Sequence, residues 1–151
     1  MPRTATSILA LLPLAGTALP TLPALADGVD PSWDLIGRIE VEERIDGDRY
    51  MVMKRFPPEL DGGAPVFEIS GFLYPAGFEA ETTEFILVPE AGMCPFCGSP
   101  DHGTAIAVSM ADPMPSVEGT SRVVLRGTLH AVTDPETFQA VVMTGAVAIE
   151  G

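Results

Sequence analysis

Apolar and polar residues alternate most cleanly over residues 122–132. Val123, Leu125, Leu129 and Ala131 point one way, and Arg122, Arg126, Thr128 and His130 the other. A period of two marks a strand with one buried face. Other runs rich in β-branched and aromatic residues sit between turn formers. Residues 66–74 make a strong strand, stopped by Pro75, with a bend or bulge expected at Gly71. Residues 83–88 make another, stopped by Pro89. Residues 104–110 and 138–149 read as strands too, the last with a bend at Gly145. Residues 50–56 suit an edge strand ended by Pro57-Pro58. Helical signal is thin. Residues 33–44 carry Trp33, Leu35, Ile36, Ile39 and Val41 at a spacing that fits neither period, and Asp134-Pro135-Glu136-Thr137 suits a single turn. Trp33 reads as a core anchor. Five short strands, bent by glycine or stopped by proline, predict a mainly β fold. A small closed or partly open Greek-key barrel of the OB type fits best, with a β-sandwich as the alternative.

The start of the chain has a different pattern. Arg3 precedes an uncharged apolar stretch that runs to Leu25, and Ala24-Leu25-Ala26 has the small-x-small form of a cleavage site. This reads as a secretory signal over residues 1–26. Pro13, Pro20 and Pro23 and the acidic flank that follows disfavour a membrane anchor. The expected compartment is the periplasm. The expected organisation is a cleaved leader (1–26), an N-terminal extension with an edge strand (27–65), and a barrel domain (66–151). Removing the leader takes away one of eight basic residues and none of the 21 acidic ones, which leaves a net charge near −14. Such a balance argues against nucleic acid or anionic lipid as partner, because phosphate contacts need Lys and Arg.

Both cysteines lie in one loop, Gly92-Met93-Cys94-Pro95-Phe96-Cys97-Gly98-Ser99-Pro100-Asp101-His102-Gly103. A disulfide between them would close too small a loop to stabilise the whole fold. Three readings compete. Thiolate and imidazole suit zinc, or less well copper(I), and C-x-x-C spacing lets both sulfurs meet one ion. Cys94, Cys97 and His102 would then be ligands, with His130 as the fourth. Asp101 is the substitute, and Met93 would favour copper. His130 has a second reading as a solvated surface residue. The second reading of the loop is thiol-disulfide chemistry at Cys94 and Cys97, but proline follows the first cysteine and no helix can be read after the second. The third is a local disulfide or inert clip. Asp46-Gly47-Asp48 lacks the ligand series of a calcium loop and reads as a turn. No nucleophile elbow, phosphate-cradling loop or H-E-x-x-H is present, so an enzyme is not expected.

Three segments carry a resemblance. Ile69-Ser70-Gly71-Phe72-Leu73-Tyr74-Pro75, then Thr83-Glu84-Phe85-Ile86-Leu87-Val88-Pro89 with its cysteine loop, then Gly127-Thr128-Leu129 resemble a family of small exported bacterial proteins, domain of unknown function 3299. The likeness spans roughly residues 66–150. It implies a small β-barrel-like fold, a periplasmic setting and an association with metal-uptake or membrane-transport systems. Of the family's loop positions Cys94 carries over. Phe96-Cys97 stands where many members have histidine and a proline run. The combined expectation is a periplasmic metal-binding accessory protein that carries or senses zinc, or less favourably copper(I), for a transport component.

Overall fold

The computed structural model describes residues 29–77, 79–93, 104–116 and 121–149. The chain is mainly β, as the alternation predicts. A short helix α1 (Ser32–Gly37) leads into a hairpin of β1 (Glu40–Asp46) and β2 (Arg49–Arg55), then a 3-10 turn at Pro58–Leu60. Five strands follow: β3 (Ala64–Pro75), β4 (Glu81–Val88), β5 (Ile106–Pro115), β6 (Ser121–Ala131) and β7 (Val141–Ala148).

These five close into a barrel in the order β3-β4-β5-β7-β6. Every neighbouring pair is antiparallel except β5 and β7, which are parallel. A three-strand meander whose fourth strand returns beside the first, with the fifth filling the gap, is the OB-type Greek key. The registers give the stagger. A row drawn across the strands from Tyr74 runs through Ile86, Ala107, Val142 and His130 and meets β3 again near Ala64, about ten residues from its start. So steep a stagger tilts the strands and draws five of them round a core filled by side chains.

The alternation decides what fills it. Ile69, Leu73, Leu87, Ile106, Leu125, Leu129 and Met143 are fully buried, and Phe85 and Val108 nearly so. Each such side chain contributes about 1.5–3 kcal/mol on burial. Leu125 and Leu129 point inward while Arg126 and His130 stay exposed, as the sequence predicts for β6. Gly145 (φ +59°) sits in a bulge of β7, where the pairing with β6 slips between Arg126 and Thr128. Gly71 is different from the expectation. The pairing of β3 with β6 runs unbroken from Phe67 to Leu73, and the irregularity lies earlier, between Ala64 and Phe67. Gly71 is needed for close approach: a Cβ there would lie 2.7 Å from the Val88 carbonyl oxygen and 2.9 Å from Leu87 Cγ.

The mixed periodicity of residues 33–44 has a simple cause: the segment holds one helical turn and then a strand. Trp33 and Ile36 of α1, with Ile39 and Leu60, join the barrel core. Trp33 is 4% exposed, which makes it the anchor that the sequence suggests. The segment also closes a gap in hydrogen bonding. β4 pairs with β3 only from Phe72 onward, so β3 has an open edge before it. Side chains fill that edge. Ser32 Oγ donates to the Glu68 carbonyl (3.1 Å), the Ser70 N–H donates to Asp30 Oδ2 (2.8 Å), and Trp33 Nε1–H donates to the Ser70 carbonyl (2.8 Å). Buried backbone groups need partners, and here three side chains act in place of a neighbouring strand.

Candidate functional site

Cys94, Cys97, Asp101 and His102 lie outside the described residues. The structure does describe the frame that carries their loop. β4 ends at Val88, paired with Phe72, and β5 begins at Ile106, paired with Leu87. The loop therefore leaves and re-enters through adjacent, rigid strands. Its first turn is also fixed. The Met93 N–H donates to the Glu90 carbonyl (3.3 Å), and Gly92 takes φ +86°, which its missing side chain allows. The Gly92 N–H donates to the Tyr74 hydroxyl (3.0 Å), so the turn folds back along the outer wall of β3. Met93 is half-buried in this turn. Tyr74 is a positioning residue that the sequence reading passed over. Its outward place on β3 was legible, but its contact four residues past the end of β4 was not.

His130 lies at the same end of the barrel. It sits beside Val142, which flanks Ala107 at the start of β5. Strands are spaced by about 4.8 Å, so the His130 backbone lies about 10 Å from the point where the loop re-enters the sheet. The side chain is exposed, and its Nε2 hydrogen-bonds Thr144 Oγ1 at 2.8 Å. Both sequence readings of His130 had this wet outer face in common. Among the described residues, no group of three or more His, Cys, Asp or Glu converges on one point.

One electrostatic perturbation lies where the N-terminal segment plugs the open edge of β3. Burial alone would raise the Asp30 pKa, but the hydrogen bonds from Ser32 and Ser70 outweigh it and hold the carboxyl below its ordinary value. Arg122 Nη2 donates to Ser70 Oγ (3.1 Å), which adds a cation to the same buried corner. This cluster completes a strand edge and is structural in kind. An open groove of about 770 Å³ lies at the opposite end of the barrel from the cysteine loop, lined by Glu79, Glu81, Thr82, Thr83, Glu84 and Ser116 among others. No helix among the described residues is long and apolar enough to cross a membrane.

No family model matches the chain, and no curated protein matches it. Among solved structures, the chain is similar to the crystal structure of a domain-of-unknown-function 3299 family protein from Pseudomonas aeruginosa PAO1. The likeness covers 65% of this chain and 68% of that one, at 20% identity and a TM-score of 0.47. That is the family whose motifs residues 69–75, 83–89 and 127–129 resemble.

Proposed function

We propose that this protein is an exported metal-binding accessory protein. It holds zinc, or less favourably copper(I), on the loop between β4 and β5, and carries or senses the ion for a transport component. The observation that carries this reading is the donor set. The chain's two cysteines stand at C-x-x-C spacing, and His102 follows five residues later in the same loop. Two thiolates and an imidazole are the ligands that zinc and copper(I) prefer. His130 is the fourth ligand, with Asp101 as its substitute and Met93 as the residue that would tilt the site toward copper. Support for His130 comes from its exposure at the loop's end of the barrel. Thr144 engages Nε2 and leaves Nδ1 for the ion, the kind of partnership that orients ligating histidines. A carrier must release its cargo to a partner, and loops between barrel strands are where binding residues concentrate.

The test is elemental analysis of the protein purified from the periplasm, with a thiol count on the same sample. Stoichiometric zinc or copper with two protected thiols is the expected result. Absence of metal together with absence of free thiols would mean a local disulfide and would overturn the proposal. His102→Ala should weaken binding about 10-fold or more if the histidine is a ligand. A reduced protein that binds neither ion but reduces a test disulfide through Cys94 would assign it to thiol-disulfide chemistry instead.

A further inference from the structure

We propose that the β1–β2 hairpin is a self-association surface, on which β1 of a second copy of this chain pairs antiparallel across a two-fold axis at Glu43. The hairpin stands apart from the barrel sheet. Its register runs from Glu40↔Arg55 to Asp46↔Arg49 around a two-residue turn. Gly47 (φ +62°) at the first turn position gives the II′ turn that suits such a hairpin. β2 has its outer edge engaged, since the Val52 N–H donates to the Pro135 carbonyl (2.8 Å) and Lys54 Nζ to the Asp134 carbonyl (2.8 Å). β1 is the outer strand on the side away from the barrel, and six of its seven residues are exposed. A two-stranded ribbon is marginal in water, and a third strand is what stabilises it.

The register selects the occupant. Antiparallel strands alternate residues that bond their partner with residues that point away from it. Val52 donates outward to Pro135, so Glu43, its opposite on β1, also turns its backbone groups outward. Val41 and Ile45, two residues to either side, do the same. A second β1 centred on Glu43 brings Val41 opposite Ile45 of the other copy, so all three residues pair on both chains. Shifting the centre by one residue leaves outward groups of one of them without a partner. The side chains fit the same register. Glu42 and Arg44, which pair with each other at 3.2 Å within one strand, also meet Arg44 and Glu42 of the other copy, so four alternating charges share one face. Ile45, which is 77% exposed and is the most exposed large apolar residue among the described residues, is covered by Val41 twice. The charges along β1 discourage unrelated strands from adding to this edge, whereas a second copy supplies matched ones. The interface is small and rests on seven residues a side, so the dimer is weak and concentration-dependent. The facing Glu43 pair is its one central like-charge contact, which costs affinity.

Sedimentation velocity on the exported protein from micromolar to about millimolar concentration tests this. The wild type should shift from monomer to dimer across that range. Ile45→Pro removes an outward N–H without touching the hairpin's own ladder, and should stay monomeric with unchanged circular dichroism. Glu43→Gln should move the midpoint to about two- to five-fold lower concentration. If Ile45→Pro fails to fold, isotope-labelled Glu43→Lys mixed with wild type decides by native mass spectrometry: heterodimers should exceed half of all dimers. A wild type that remains monomeric at millimolar concentration overturns the proposal, as does a folded Ile45→Pro that dimerises normally or a mixture at its statistical share.

Discussion

Replacing Trp33 by phenylalanine isolates one hydrogen bond of the N-terminal plug. The indole is 4% exposed, and its Nε1–H donates to the Ser70 carbonyl at 2.8 Å. Phenylalanine keeps most of the apolar contact with the barrel core. It leaves the Ser70 carbonyl facing an apolar ring at a point where β4 has already ended. An orphaned buried acceptor costs about 1–3 kcal/mol. Trp33→Ala loses the contact as well and should cost about 3–5 kcal/mol. For a domain of this size the phenylalanine variant should melt lower by about 3–5 °C for each kcal/mol. Trp33 is the sole tryptophan, so its fluorescence cannot follow the variants. Urea unfolding by far-ultraviolet circular dichroism is the proper assay, with unchanged slope as the check on the unfolded state. If Trp33→Phe lies within about 0.5 kcal/mol of wild type, the surface-substitution range, then side chains are not replacing a strand on this edge.

Asp30 gives the plug a pH signature. A carboxylate held below its ordinary pKa of 3.8 contributes stability that is complete above that value and is lost as pH falls through the lower folded value. The stability gap between wild type and Asp30→Asn in urea should therefore narrow as pH falls below about 4, and a gap constant with pH would reject the assignment. Gly71→Ala places a Cβ 2.7 Å from the Val88 carbonyl, so β3 and β4 must separate, and a melting point within about 2 °C of wild type would contradict this geometry. Gly145→Ala meets open space but a strained φ of +59°, and should cost about 1 kcal/mol in the same unfolding assay. Tyr74→Phe removes the hydroxyl that fixes Gly92, and hydrogen exchange at the Gly92 amide should quicken while the core amides hold.

The barrel was legible because its cause is local. Inward residues two apart define a strand wherever one face is buried, and β6 shows this with Leu125 and Leu129 in and Arg126 and His130 out. Strand β5 runs on to Pro115, past the predicted end at 110, because Met114 pairs with Thr82 across a register slip that no periodicity reveals. Strand β1 was missed for the opposite reason. Its burial is nearly uniform, with Val41 alone half-buried, so there is no alternation to detect. The side-chain partners of the open β3 edge were equally hidden. Asp30, Ser32 and Trp33 reach residues 68 and 70 across nearly forty positions of sequence, and nothing local announces such a contact.

Legibility of the candidate site follows the same division. The cysteines and His102 are close in sequence, so their chemistry was read from spacing alone. His130 is a candidate to join them only through topology. β7 runs parallel to β5 and β6 antiparallel to β7, so the end of β6 lies level with the start of β5, where the β4–β5 loop closes. In a simple meander β6 would lie directly beside β5, and its end would fall at the same end of the barrel, one strand nearer the loop. The strand directions therefore put His130 at the loop's end of the barrel, and the intervening β7 sets its separation from β5. The long β3 pairs with β4 on one part of its length and with β6 on another. That split pairing opens the edge before Phe72, and the N-terminal segment fills it with a carboxylate, a hydroxyl and an indole. One geometric requirement, closing five strands with a steep stagger, thus accounts for the need for a plug.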